Sequence, residues 1–198
     1  ARIIKNAFAP LFMGTFDIIV GNPPWVNWEA LPQDYRDILL PVNQNRYKLF
    51  ENLGKAGRHG STKIDLSTLM FYVAVDKYLK VGGKLSFVIT QSVFKTTGAS
   101  RGFRKFFIEP SRTPIKIIQV VDMVKLKPFD NTSNKTSVLV CEKGKETQYP
   151  IPYVLWSKSS QLQMDYTLDK ALTVTTRKML SAVPVDEMDK QSAWITLK

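Results

Sequence analysis

A short apolar run, Phe16-Asp17-Ile18-Ile19-Val20, is halted by Gly21-Asn22-Pro23-Pro24-Trp25. The run has the length and branching of a buried parallel strand. Two consecutive prolines cannot continue it, because each fixes φ and removes a backbone donor. The stiff turn therefore lies at the carboxyl end of a strand, where open α/β sheets carry their binding sites. It presents the Asn22 amide, bare carbonyls and the Trp25 indole. Those groups can accept hydrogen bonds from a planar amino group and stack on the ring that bears it.

The rest of the chain repeats the strand signal with helices between. Pro32 to Leu40 predicts a short helix with proline near its first turn. Asp65 is placed to cap a helix from Leu66 to about Lys80, with Leu66, Leu69, Met70, Val73 and Ala74 as its apolar stripe and Gly82-Gly83 ending it. Lys84–Thr90, Ile115–Val121, Thr136–Cys141 and Ile151–Trp156 read as strands, and Ser100–Ile108 as a helix. This order predicts an α/β fold: a partial Rossmann-like sheet, mostly parallel, with an antiparallel edge hairpin where the last two strands lack a helix between them. Beyond Trp156 the chain turns polar, with a helix expected near Asp169–Ser181 and a linker over Pro184–Ser192.

Composition narrows the class. In 198 residues there are 28 Lys+Arg against 17 Asp+Glu, a formal net charge of +11. Such a surplus favours a polyanionic partner, nucleic acid first. Charge alone does not separate that reading from a solvated basic surface. Lys55, Arg58 and Lys63 lie in a long glycine-rich, lid-like segment, and Lys125 and Lys127 lie in the loop before Phe129. Arg101, Arg104 and Lys105 read equally well as a phosphate track or as the wet face of a helix. The single cysteine, Cys141, sits in an apolar run and reads as a buried small hydrophobe in a reducing, cytoplasmic setting. The lone His59 has no Cys or His cluster beside it, so no metal site is expected. No apolar run approaches membrane-spanning length.

The decapeptide Phe16 to Trp25 resembles the catalytic motif of DNA adenine-N6 methyltransferases, in particular the gamma-class enzymes of restriction–modification systems, including fused restriction–methylation polypeptides. Three further stretches fit that family in order: Lys63-Ile64-Asp65-Leu66, the passage Leu79 to Ile89, and Phe129 followed by Thr136-Ser137-Val138-Leu139-Val140. The resemblance covers about the first three quarters of the chain. It implies S-adenosylmethionine as methyl donor and DNA as partner. It implies that Asn22 and Pro23 polarise the target amine, that Trp25 and Phe129 stack on a flipped base, and that Asn22, Pro24 and Leu69 give one wall of the cofactor site. Lys55, Arg58, Lys63, Lys125 and Lys127 would then contact DNA.

The sequence departs from the family in lacking its glycine-rich donor loop before the catalytic turn. The expectation is a carboxyl half of a catalytic domain over residues 1–157, with 158–198 a linker toward an absent target-recognition domain. Such a half, missing its amino-terminal cofactor-binding strands, is expected to be inactive alone and to offer a sheet edge for a homodimer or domain swap. Two other readings stay open. The same tetrapeptide serves methyltransferases of RNA amino groups or protein glutamine, and a non-catalytic DNA-binding module would keep the fold for its shape.

Overall fold

The computed structural model describes residues 14–50, 65–129, 135–158 and 167–198. Strand β1 is Phe16–Gly21, followed by helix α1, Gln33–Pro41, with Pro32 at its amino-terminal cap. Helix α2, Leu66–Val73, starts at Asp65, whose carboxylate accepts from the Ser67 amide, and ends in a wider turn over Ala74–Tyr78. Strand β2, Leu79–Thr90, leads into the short helix α3, Ser92–Lys95. Then come β3 (Phe107–Ile108), β4 (Thr113–Asp122), β5 (Thr136–Lys143) and β6 (Ile151–Lys158). Helix α4, Leu168–Thr173, and strands β7 (Thr175–Pro184) and β8 (Trp194–Leu197) complete the described chain.

The sheet order is β1-β2-β5-β4-β6-β7-β8, with β3 beside β4. The α/β class stands, and the register locates its two kinds of pairing. β1 with β2 and β4 with β6 are parallel, while the other described pairs are antiparallel. The last two strands foreseen from sequence do not form the edge hairpin. β5 lies inside the sheet, antiparallel to both β2 and β4, and β6 runs parallel to β4. The antiparallel edge is built instead from β7 and β8, in the stretch read as helix and linker. Because β5 reverses between β2 and β4, the strands β1, β2, β4 and β6 all point the same way. Their carboxyl ends, Gly21, Thr90, Asp122 and Lys158, share one rim of the sheet.

One sheet face carries the main core. Leu85, Phe87 and Ile89 of β2, Leu139 and Cys141 of β5, and Ile117 and Val120 of β4 pack with Phe71, Tyr72 and Val75, which come from α2 and its final turn. Cys141 is fully buried, and burial pushes its thiol up to about 12, so it serves as a small hydrophobe. On the other side of β1, Ile18 and Val20 are 70% and 77% exposed.

The passage from α2 to β2 differs from the sequence expectation. The helix stops at Tyr78 and the strand begins at Leu79, ahead of the glycines. Gly82-Gly83 instead accommodates an irregularity in pairing, where Phe16 faces Leu79 but Ile18 faces Lys84. Gly82 takes φ +80, and a Cβ on Gly83 would lie 2.9 Å from Leu79 Cδ1 and 3.0 Å from the Asp17 carbonyl oxygen. The helix expected over Ser100–Ile108 is replaced by two 3-10 turns, Gly98–Ser100 and Gly102–Lys105, closed by Phe106 at φ +49. No helix among the described residues is long and apolar enough to cross a membrane.

Candidate nucleic-acid and base-binding site

The turn after β1 sits on the common rim. Asn22 and Pro24 are exposed, Pro23 is buried and Trp25 is half-buried. The prolines contribute no amide hydrogens, so the turn is held from outside. The Trp25 Nε1–H donates to the Val88 carbonyl at the end of β2, at 3.2 Å. Val26 and Asn27 fasten it to the start of α2: the Leu66 amide donates to the Val26 carbonyl at 2.8 Å, and Asn27 bridges to Asp65. Asp65 ties this junction to β2 by accepting from Thr90 Oγ1 at 2.8 Å. Turn, helix start and strand end are thus linked by bonds that leave the Asn22 amide at the surface.

Trp25 and Phe129, distant in sequence, meet here. Their ring centroids are 5.6 Å apart at an interplanar angle of 75°, an edge-to-face contact. Phe129 is 37% exposed. A planar ring stacked between two others needs about 7–8 Å between their planes, since carbon atoms in contact stand about 3.5–4.0 Å apart. In the present arrangement the two rings close on each other, and a base between them requires that they part.

The other expected residues divide. Lys125 and Lys127 are exposed on the loop that leads to Phe129, with Lys127 at φ +52. Lys55, Arg58 and Lys63 lie outside the described residues. Leu69, expected at a cofactor wall, is 4% exposed and part of the main core, because its helical position faces the sheet. Of the three residues expected at a donor site, Asn22 and Pro24 remain as surface. None of the described strands runs into a glycine-rich turn. Of that set, then, Asn22 and Pro24 but not Leu69 are open to a ligand on this rim.

Arg101, Arg104 and Lys105 are neither a phosphate track nor a solvated helix face. Arg104 is 2% exposed and donates to the Gln191 carbonyl at 2.9 Å and the Val93 carbonyl at 2.7 Å. Lys105 donates to the Tyr47 carbonyl, and Arg101 pairs with Asp189. These cations hold remote segments of the chain against the turns they belong to.

Sequence reasoning missed Asp122, the last residue of β4. It is 4% exposed on the same rim and accepts from Gln91 Nε2 at 2.8 Å, the Tyr153 hydroxyl at 2.5 Å and the Val124 amide at 2.9 Å. The available signal was a lone acid ending an apolar strand, one residue short of the position that Asn22 takes after β1.

A family model described as Eco57I restriction-modification methylase matches residues 3–129, more than half of the chain. No curated protein matches. Among solved structures, the ATP-dependent Type ISP restriction-modification enzyme LlaBIII bound to DNA is similar at 12% identity and a TM-score of 0.52, over 98% of this chain and 13% of that one. A DrdV–DNA complex matches at 16% identity and a TM-score of 0.52, over 87% of this chain and 18% of that one. A type I restriction-modification system methyltransferase subunit from Streptococcus thermophilus matches at 17% identity and a TM-score of 0.47, over 82% of this chain and 31% of that one. At these identities the likeness is one of fold. The chain spans between 13% and 31% of the length of these three proteins.

Proposed function

Because the chain belongs to the Eco57I restriction-modification methylase family, we propose that it supplies the catalytic turn and the base-stacking loop of a cytoplasmic DNA methyltransferase acting on adenine N6. The observation that carries this reading is the meeting of Trp25 with Phe129 beside an exposed Asn22, on the rim where β1, β2, β4 and β6 end.

An exocyclic amine is a poor nucleophile because its lone pair is delocalised into the ring. The Asn22 side-chain oxygen and the Pro23 carbonyl each accept one of its N–H bonds. That draws the nitrogen toward tetrahedral geometry and frees the lone pair. As the nitrogen bonds to the methyl carbon, the methyl's bond to the donor sulfur would break with its electron pair left on sulfur; the positive charge that grows on the nitrogen is stabilised by fixed acceptor dipoles without reorganising, and one N–H proton is then lost to water. S-adenosylmethionine supplies the electrophilic methyl group. In this chain Asn22 and Pro24 give one side of its site, and the rest of that site comes from outside the described residues.

The target atom lies inside a duplex, so the base swings out. The closed aromatic pair is then the base-free arrangement. An edge-to-face pair is worth about 0.5–1.5 kcal/mol. Base–aromatic stacking is worth about 1–3 kcal/mol, so exchanging the ring pair for a stacked base favours opening.

The test is transfer of a labelled methyl group by the intact protein to DNA, RNA and protein acceptors. Label in DNA is expected, with a loss of about 100-fold or more in Asn22→Ala. Label confined to RNA or protein would reject DNA as substrate. Full activity in Asn22→Ala would remove the proposed role of the turn.

A further inference from the structure

The loop that carries Phe129 leaves the sheet at Asp122 and returns to it at Thr136. Its two ends are pinned by backbone bonds: the Met123 amide donates to the Thr136 carbonyl at 3.0 Å, and the Gln91 amide donates to the Lys135 carbonyl at 2.6 Å. Over 123–129 the chain makes a tight turn. The amides of Leu126 and Lys127 both donate to the Met123 carbonyl at 3.0 Å, and Leu126 is 6% exposed. Lys127, at φ +52, then redirects the chain outward through Pro128 to Phe129.

Asp122 lies under this turn. One carboxylate oxygen accepts from the Val124 amide, inside the loop. The other accepts from Gln91, just past β2, and from Tyr153 on β6. Three elements therefore converge on one buried carboxylate. Lys95 of α3 lies nearby, with its Nζ 4.9 Å from the centre of the Tyr153 ring and 3.4 Å from Thr196 Oγ1. A buried carboxylate is costly unless it is well hydrogen-bonded, and bonds to a charged acceptor are about twice as strong as neutral ones. Of its three partners, Gln91 lies in the turn between β2 and α3 and Tyr153 on β6, while the third, the Val124 amide, belongs to the segment running to Phe129.

We propose that Asp122 is the positioning residue of the base-stacking loop: its bond to the Val124 amide, with Gln91 and Tyr153 bracing the carboxylate, sets where Phe129 stands relative to Trp25. The inference rests on the reading of Phe129 as a base-stacking residue. Asp122 itself touches neither base nor donor.

The test is a double-mutant cycle in the intact protein, with kcat and donor KM measured for methyl transfer to long unmethylated duplex DNA. Stacking worth about 1–3 kcal/mol corresponds to a loss of about 5- to 150-fold in kcat for Phe129→Ala. Asp122→Ala is expected to lower kcat about tenfold with donor KM unchanged, and to add less than about twofold in the Phe129→Ala background. Asp122→Asn keeps an oxygen for the Val124 amide and is expected to stay within about threefold of the parent. Losses that multiply in the double variant, full activity in Asp122→Ala, or an Asn variant as poor as Ala would each overturn the proposal. Should Asp122→Ala fail to fold, Tyr153→Phe carries the same test. A several-fold loss that vanishes beside Phe129→Ala supports the inference, and no loss or a multiplying one defeats it. Unchanged kcat in Phe129→Ala would instead bring down the base-stacking reading itself, which separates the two failures.

Discussion

Gly102 occupies a position that admits no side chain. A Cβ there would overlap the Leu49 carbonyl oxygen and lie 2.7 Å from its carbon. Both are backbone atoms, so no rotamer change relieves the clash, and the 46–50 segment would have to move off the turn. Overpacking of this kind costs about 1–3 kcal/mol. Gly102→Ala is expected at the upper end of that range, read as a lower unfolding midpoint in a denaturant titration. An unchanged midpoint would mean that the two segments are not in contact. The sequence displayed the glycine but not its neighbour, because Leu49 reaches it through the tertiary fold. The same division runs through the site. The exposed turn at Asn22 and Trp25 was legible because two consecutive prolines cannot continue a central strand, and the loop position of Phe129 because its neighbours Pro128, Asp130 and Asn131 break strands. Asp122 was not, since its partners Gln91 and Tyr153 come from the turn after β2 and from β6, both distant in sequence.

The turn after α2 shows how one carboxylate joins elements. Asp76 accepts from Arg46 at 2.7 Å and from the Tyr47 hydroxyl at 2.8 Å, while Lys143 of β5 donates to its backbone carbonyl at 2.9 Å. Burial pushes the carboxyl pKa up. The Arg46 and Tyr47 hydrogen bonds outweigh it, helped by the charges of Lys77 and Arg46, so the net direction is down. A group whose folded pKa is depressed stabilises the fold above its unfolded value, near 3.9, and loses that contribution as pH falls through the folded value. Asp76→Asn is therefore expected to cost on the order of 1 kcal/mol at pH 7, given the exposure of Arg46. The difference in melting temperature should close as pH drops below about 4. A gap independent of pH would contradict the linkage. Elements with strong apolar runs, β1, β2, β4, β5 and β6, were visible in the sequence. β7 and β8 were not, because Thr175–Pro184 alternates weakly and exposes much of its length. What anchors that region is nonlocal: Trp194 stacks on Phe94 at 4.8 Å and donates to the Tyr149 hydroxyl at 3.2 Å.

At the scale of the molecule, net charge and site position come together. The formal charge is +11, yet the structure uses several cations internally: Arg104 and Lys105 bond backbone carbonyls, and Arg101 meets Asp189. Charge count alone therefore overstates the surface open to a polyanion. Lys125 and Lys127 stand exposed on the loop that leads to Phe129, open to contact with phosphate. Each phosphate neutralised on duplex DNA contributes about −0.9 to the slope of log K against log salt. The chain is expected to bind duplex DNA weakly and with a steep slope. Replacing both lysines with alanine should make that slope shallower by about 2, whatever the DNA sequence. If the net surplus acted only as a diffuse field, removing two charges of eleven would weaken binding slightly and leave the slope nearly intact. An unchanged slope would thus argue against a phosphate track on this rim, while the predicted drop would put the backbone of the duplex beside Trp25 and Phe129.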